Sequence, residues 1–135
     1  MCILKPDSQP TVLIIDDTPM VISSLSRILL PFYDVKVANN GDKGLKLAQE
    51  HHIDLILLDI NMPGITGFEV LEDLSSMSAT ENIPVIIITG SDQSADEEYA
   101  FFLGVVDYIR KPFVGESVLD RVGKHIKRGS SGNDG

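Results

Sequence analysis

Residues 55–67 read LILLDINMPGITG and contain a short strand, a loop and the start of a helix. The first four residues are all apolar, which is typical of a strand buried on both faces. The loop is a tight connection whose glycines, Gly64 and Gly67, are free to take positive φ angles. Thr66 and Glu69 have the spacing of a capping box, which predicts a helix starting there. The stretch is therefore one βα unit.

Four other segments have the character of strands. Residues 11–15 and 84–88 are almost continuously apolar, as expected for central strands covered by helices. Residues 33–38 alternate between polar and apolar, which predicts a half-exposed edge strand. A fifth strand is predicted at 105–109, after Gly104, which is well placed to end the preceding helix.

Helical periodicity separates these strands. Thr18 and Pro19 predict the start of the first helix, with Thr18 as its cap. The second helix is predicted at 41–49, and Ser94 with Glu97 predicts a capping box for the fourth. The last helix is predicted from the apolar residues Val118, Leu119, Val122 and Ile126. Five consecutive βα units predict an α/β fold, a doubly wound parallel sheet with helices on both faces.

These units fill most of the chain, whose 135 residues suit a single domain. We place that domain at 11–128, with an N-terminal extension at 1–10. Residues 129–135 are rich in glycine and serine, and we expect them to form a flexible tail or linker.

Charge and cysteine content exclude several functional classes. The chain has 20 Asp and Glu against 11 Lys and Arg, and 47–109 contains no Lys or Arg. Such an acidic stretch repels nucleic acid. One cysteine, Cys2, rules out a disulfide framework and favours a reducing compartment. No apolar run is long enough for a membrane span, so we expect a cytoplasmic protein that binds neither membranes nor nucleic acid.

Polar residues follow four of the predicted strands. Because parallel strands all point the same way, residues after their carboxyl ends share one edge of the sheet, where ligands bind. Each of these residues alone has an ordinary explanation, such as a helix cap or a solvated charge, but their joint placement favours a functional site. They are Asp16, Asp17, Asp59, Asn61, Thr89 and Lys111.

Three carboxylates at one edge repel each other, since each like-charged pair at ~4 Å costs about 4 kcal/mol at an effective dielectric constant near 20. A cation is therefore expected among them. Oxygen ligands without His or Cys select a hard ion such as Mg²⁺. A metal, a lysine and a hydroxyl around a carboxylate indicate phosphoryl transfer with an aspartate as the nucleophile.

The same residues resemble a known family. Asp16-Asp17, Asp59 within LLDINMPG, Thr89-Gly90 and Lys111-Pro112-Phe113 are similar to the motifs of the receiver (REC) domain of bacterial two-component response regulators. The resemblance covers about 11 to 127. It implies a flavodoxin-like (βα)5 fold with strand order 2-1-3-4-5. It also implies phosphorylation of an aspartate by a histidine kinase or phosphotransfer protein.

The resemblance assigns roles by matching position. Asp59 would be the phosphoacceptor in a phosphorelay. Asp17 would bind Mg²⁺ directly, Asp16 would hold a metal-bound water, and Asn61 would offer its backbone carbonyl. Lys111 would pair with the phosphoryl group through its ammonium. The peptide bond from Lys111 to Pro112 is expected to be cis.

The resemblance also implies a switch. Thr89 would hydrogen-bond the phosphoryl group, and Tyr108 would be the aromatic residue that swings inward when Thr89 moves. Because Thr89 precedes helix four and Tyr108 lies in strand five, the surface that changes is the one formed by helix four, strand five and helix five. Through it the domain would contact an output domain or form a homodimer.

Residues 99–103 read YAFFL, more consecutive apolar residues than one buried helical stripe accommodates. By family spacing, Ala100 and Phe101 would face the core. We therefore predict that Phe102 and Tyr99 are partly exposed and form a partner-binding surface. The alternative is that a neighbouring loop covers them.

Two other functions remain open. One is a haloacid-dehalogenase-like phosphatase, which also uses an aspartyl nucleophile, Mg²⁺ and a lysine. That class has a second acid two residues after its nucleophile, whereas Asn61 stands two residues after Asp59. The other is a receiver-like interaction module that works without phosphorylation. We expect the protein to assist its own phosphorylation and dephosphorylation but not to act as an enzyme on an external substrate.

Overall fold

The computed structural model describes residues 9–91 and 93–126. The predicted tail at 129–135 and most of the extension at 1–10 lie outside the described residues. The strands are β1 (Thr11–Ile15), β2 (Asp34–Ala38), β3 (Leu55–Leu58), β4 (Val85–Thr89) and β5 (Asp107–Arg110). The helices are α1 (Pro19–Leu29), α2 (Gly41–Glu50), α3 (Gly67–Ser76), α4 (Ser94–Phe102) and α5 (Gly115–His125).

The five strands form one parallel sheet in the order β2-β1-β3-β4-β5. The predicted fold class and strand order are therefore confirmed. Ile15 pairs with Leu58, and Leu58 pairs with Ile87. This register aligns the carboxyl ends of the three central strands, so the residues that follow them meet at one edge.

Alternate residues of the buried strands supply two separate cores. Val12, Ile14, Leu55 and Leu57 pack with residues of α1 and α5 on one face of the sheet. Their neighbours in sequence pack with residues of α2, α3 and α4 on the other face. The near-continuous apolar runs in β1, β3 and β4 follow from this arrangement, because helices cover both faces of the central strands.

The entry into α3 lies directly beside β3. Thr66 caps the helix and forms the predicted capping box with Glu69. Gly64 has a positive φ of 81°, whereas Gly67 does not. A Cβ atom at Gly67 would lie 2.4 Å from the carbonyl oxygen of Asp59, so the glycine allows close approach of backbone to backbone.

The predicted capping box at Ser94 is also wrong. The N-cap of α4 is Gln93, and Ser94 is the first helical residue, so Glu97 lies one position too far along. Ser91 arranges this entry: its Oγ accepts a hydrogen bond from the Gln93 amide and donates one to Asp96 Oδ2. The helix therefore starts one residue earlier than a capping box would require.

The predicted start of α1 is confirmed, but its cap and the start of β5 differ from the sequence predictions. Thr18 occupies the N-cap position of α1, but its side chain makes no capping hydrogen bond; its amide instead donates to Asp16 Oδ1 over 2.9 Å. β5 begins at Asp107 rather than at Val105. The amide of Val105 donates to the carbonyl of Ala100 and so closes the end of α4, where Gly104 has the predicted positive φ of 106°.

Candidate phosphoryl-transfer site

Three aspartates meet at the carboxyl edge of the sheet. Asp16 and Asp17 follow β1, and Asp59 follows β3. One carboxylate oxygen from each lies within 4.8 Å of the others. The backbone fixes two of them, since the Asp16 amide donates to the carbonyl of Ala38 and the Asp59 amide donates to that of Ile15. Asp16 and Asp59 are buried, while Asp17 is half-buried.

Lys111 brings an ammonium group to this cluster from the end of β5. Its Nζ atom lies 3.0 Å from Asp16 Oδ2 and 3.3 Å from Asp59 Oδ2. The Lys111 amide donates to the carbonyl of Thr89 over 2.8 Å, which fixes the backbone beside β4. The peptide bond between Lys111 and Pro112 is cis, as the resemblance implied.

The electrostatic balance of the cluster is unfavourable for the Asp59 carboxylate. Burial of the Asp59 carboxylate raises its pKa, the charge of Lys111 opposes this effect, and the neighbouring charge of Asp16 adds to it. The net result is a pKa above its ordinary value of 3.8. The charge of Lys111 therefore does not offset the burial of Asp59 together with the charge of Asp16.

The donor set of the cluster fits a hard divalent cation. Its three side chains offer only carboxylate oxygens, which Mg²⁺ prefers. Asn61 lies next to them, because its amide donates to Asp59 Oδ1 over 3.2 Å. The position of Asn61 is consistent with a further oxygen ligand from its backbone.

Thr89 lies buried at the end of β4, beside the cluster. Its Oγ1 accepts long hydrogen bonds from Asn61 Nδ2, at 3.5 Å, and from the amide of Ser91, at 3.4 Å. Sequence reasoning assigned no role to Ser91, although its position two residues after Thr89 could have drawn attention to it. Through Ser91, Thr89 is connected to Asp96 at the start of α4.

Tyr108 lies in β5 with its ring turned inward. It is 7% exposed, and its buried hydroxyl has no hydrogen-bond partner among the described residues. Burial raises the pKa of this phenol. The guanidinium of Arg110 lies over the ring, 5.8 Å from its centre, and also pairs with Glu97 of α4 at 3.0 Å. Strand β5 and helix α4 are thus in direct contact through Arg110.

All three aromatic residues of α4 are exposed, two of them as predicted. Phe102 is 82% exposed and Tyr99 is 42% exposed, as their predicted exposure required. Phe101 is 43% exposed, so the expectation that it faces the core was wrong. Ala100 alone is buried in this helix, and the next residue is turned about 100° away from it.

Comparison with known proteins agrees with this geometry. The model of the response regulator receiver domain family matches residues 12–123. The chain belongs to this family. Receiver domains bind Mg²⁺ at an acidic pocket, accept a phosphoryl group on an aspartate, and interact with histidine kinases or phosphotransfer proteins, often with an attached output domain. The family has a signalling role rather than an enzymatic one.

Related receiver domains occur in proteins of very different length. The chain is 41% identical over 120 residues to a probable cyclic di-GMP phosphodiesterase of Vibrio cholerae, aligning 89% of this chain but spanning only 27% of that protein. It is 37% identical to the protein PilH of Pseudomonas aeruginosa, over 82% of this chain and 93% of PilH. Receivers of this kind therefore occur both in long proteins and nearly alone.

A solved structure has the same fold. The CheY-like response regulator receiver domain protein of Methanospirillum hungatei superposes with a TM-score of 0.83 at 26% identity, over 95% of this chain and all of that one.

Every helix within 9–91 and 93–126 is too short or too polar to cross a bilayer.

Proposed function

We propose that Asp59 of this receiver domain accepts a phosphoryl group from a phosphohistidine on a sensor kinase or phosphotransfer protein. The observation that carries the proposal is the grouping of Asp16, Asp17 and Asp59 within 4.8 Å, with the Lys111 ammonium against two of them. This arrangement combines a nucleophile, oxygen ligands for a cation and a fixed positive charge.

In the proposed reaction, a carboxylate oxygen of Asp59 attacks the phosphorus atom. A phosphorus–oxygen bond forms, the phosphorus–nitrogen bond to the donor histidine breaks, and the imidazole leaves with the bonding electron pair and takes up a proton. Hydrolysis of the acyl phosphate returns Asp59 to its carboxylate form. The domain thus assists its own modification without converting an external substrate.

The acid cluster would hold Mg²⁺ through the side chains of Asp16, Asp17 and Asp59 and the backbone carbonyl of Asn61. When bound, the ion would neutralise charge on the carboxylates and on the transferred group. Asp17 would contact the ion directly and Asp16 would contact it through water. These assignments are supported by the donor chemistry and by the position of Asn61 beside Asp59.

Lys111 and Thr89 would bind the oxygens of the phosphoryl group. Lys111 already lies against Asp59, and the Thr89 hydroxyl makes only long hydrogen bonds, which are easily exchanged for a shorter one. Contacts that exist only in the phosphorylated form shift a two-state equilibrium. Thr89 pairs with Arg110 in the sheet register, and Arg110, through its contacts with Tyr108 and Glu97, would connect Thr89 to the surface formed by α4, β5 and α5.

That surface is the proposed route to the output. An attached output domain, or a second copy in a homodimer, would read its state, and Tyr99 with Phe102 would form part of the partner surface. We place the protein in the cytoplasm with its kinase partner, and we expect the domain itself to bind neither nucleic acid nor membranes. The domain boundaries remain those proposed from the sequence, 11–128.

The test is phosphorylation by acetyl phosphate and Mg²⁺, followed by intact-mass measurement and peptide mapping. We expect a single phosphoryl adduct on Asp59 that is absent without Mg²⁺ and absent from Asp59→Asn. Asp54→Asn is the matched control, because Asp54 is a second buried aspartate at the opposite end of the same strand. It should be phosphorylated like the wild type.

Other outcomes favour the alternative functions. An unmodified wild-type protein would support a receiver-like module that works without phosphorylation. Turnover of phosphate esters over many cycles would support a phosphatase. Modification at a residue other than Asp59 would contradict the assigned phosphoacceptor.

A further inference from the structure

Helix α4 presents different chemistry on two sides. On the side of β5, Glu97 pairs with Arg110. On the side of α3, the Tyr99 ring meets Phe68 edge-on at a centroid distance of 4.9 Å, and its hydroxyl donates to Glu72 Oε2 over 3.1 Å. Tyr99, with the Phe102 ring stacked on it, therefore belongs to a surface shared with α3.

Phe68, Tyr99 and Phe102 form a continuous aromatic patch. Tyr99 contacts Phe68 and stacks on Phe102 at 6.3 Å between ring centres. Phe102 is 82% exposed, the largest exposure among the big apolar side chains of the described residues. A large exposed aromatic surface of this kind is typical of a binding site.

A cleft of about 390 Å³ continues from the patch toward the acid cluster. Phe68 lines one part of it and Asp96 another, and Asn61 lines the part next to Asp59. Asp96 is also the acceptor of the hydrogen bond from Ser91, which is connected to Thr89. The patch is thus continuous with the loops that surround the proposed phosphoacceptor.

The surroundings of the patch are uniformly acidic. Helix α3 contains Glu69, Glu72 and Asp73, and α4 contains three further acids, while neither helix contains a Lys or Arg. A second copy of the same surface would bring like charges together around the aromatic residues, which disfavours a symmetric dimer here. Electrostatic complementarity requires a partner with positive charges around an apolar centre.

We propose that this patch docks an amphipathic helical segment of a partner protein, with apolar side chains flanked by Lys or Arg. The apolar face would cover Phe68, Tyr99 and Phe102 in the groove between α3 and α4, and the basic residues would meet Glu72 and its acidic neighbours. The inference rests on the proposed output role of Tyr99 and Phe102, and it names the chemistry of the partner they would bind.

The test uses two fluorescently labelled helical peptides that carry the same Leu and Phe residues. One has Lys at the flanking positions and the other has Glu. We expect the Lys peptide to bind the full chain and the Glu peptide to bind at least about tenfold more weakly. Phe102→Ala and Glu72→Lys should each weaken binding of the Lys peptide about tenfold, as loss of a central contact does.

Matched variants distinguish specific binding at the patch from nonspecific binding of the peptide. Phe32→Ala removes another exposed phenylalanine, and Glu116→Lys reverses an exposed acid in α5; neither should change the affinity for the Lys peptide. The proposal would be overturned if both peptides bound equally or if the Lys peptide failed to bind. It would also be overturned if the control variants lost as much affinity for the Lys peptide as Phe102→Ala and Glu72→Lys. Self-association in sedimentation that Phe102→Ala abolishes would overturn it too, because that result assigns the patch to a second copy.

The phosphorylation site is read separately in the same protein. Beryllofluoride and Mg²⁺ are added without peptide, and the amide NMR signals are recorded. Changes in these signals test the assignment of Asp59 independently of peptide binding. A response to beryllofluoride with no peptide binding contradicts the docking surface only. Peptide binding without that response contradicts the phosphoacceptor assignment instead.

Discussion

The aspartates at the two edges of the sheet differ in how their charges are compensated. At the amino edge, Asp54 precedes β3 and accepts hydrogen bonds from the Thr11 amide at 2.8 Å and from His52 Nε2 at 2.9 Å. At the carboxyl edge, Asp59 follows the same strand, is equally buried, and faces other carboxylates. The two donors to Asp54 serve one carboxylate, whereas Asp59 shares the Lys111 ammonium with Asp16 inside a cluster of three carboxylates.

Asp107, at the amino end of β5, belongs with Asp54. It accepts hydrogen bonds from the amide of Tyr108 and from Arg121, and its second oxygen lies 3.0 Å from His125 Nε2. Burial acts to raise the pKa of Asp107, but these three partners outweigh it and hold the pKa below its ordinary value. Burial alone therefore does not mark a functional carboxylate; the grouping of several carboxylates around one shared ammonium does.

The largest expected effect follows from removing the ammonium at the carboxyl edge. Lys111→Met leaves Asp16 and Asp59 without their shared cation, so without Mg²⁺ we expect the free energy of unfolding to fall by about 3 kcal/mol. Mg²⁺ should recover much of this loss, because it would supply the missing positive charge. Thermal unfolding of the wild type and of Lys111→Met, each in EDTA and in Mg²⁺, measures how much the ion stabilises each protein. Equal stabilisation of the two proteins by Mg²⁺ would contradict the prediction.

A smaller effect is expected at the amino edge. Asp54→Ala leaves the amide of Thr11 without its acceptor, and we expect a loss of about 2 kcal/mol in unfolding free energy. Added Mg²⁺ should not recover it, and phosphorylation at Asp59 should persist. Urea denaturation with and without Mg²⁺ tests this, and selective rescue by the ion would show that the two edges are not distinct.

The sequence predicted the fold and the membership of the acid cluster, for reasons that the structure makes clear. Continuous apolar runs report burial on both faces, and parallel strands deliver their trailing residues to one edge. Both properties depend on local pattern and topology alone. The position of Lys111 against Asp16 followed from the same topology, although these residues are 95 positions apart.

The missed features depend on contacts between elements. The capping box at Ser94 competed with the hydrogen bonds of Ser91, and local spacing does not reveal which arrangement wins. The exposure of Phe101 depends on how α4 turns against the sheet. The contact of Tyr99 with Phe68 joins two helices whose relative position no local pattern encodes.

The smallest effect concerns Asp107 and its dependence on pH. The pKa of Asp107 lies below its ordinary value of 3.8 in the folded protein, so its stabilising contribution is present above that pH and is lost as pH falls further. Asp107→Asn should therefore cost about 1 kcal/mol at neutral pH, by weakening the bonds to Arg121 and His125. The cost should shrink below pH 3.8. Urea denaturation from neutral to acidic pH measures it, and a cost independent of pH would contradict the assignment.

We propose that, among the described residues, those at the carboxyl edge alone hold a divalent cation and a phosphoryl group. This proposal is tested by an NMR titration of the isotope-labelled protein with millimolar Mg²⁺ and then beryllofluoride. We predict that the amide signals of Asp16, Asp17, Asp59, Thr89 and Lys111 shift at successive steps, while that of Asp54 stays unchanged. Unmoved signals at the carboxyl edge, or shifts centred on the amino edge, would contradict the account.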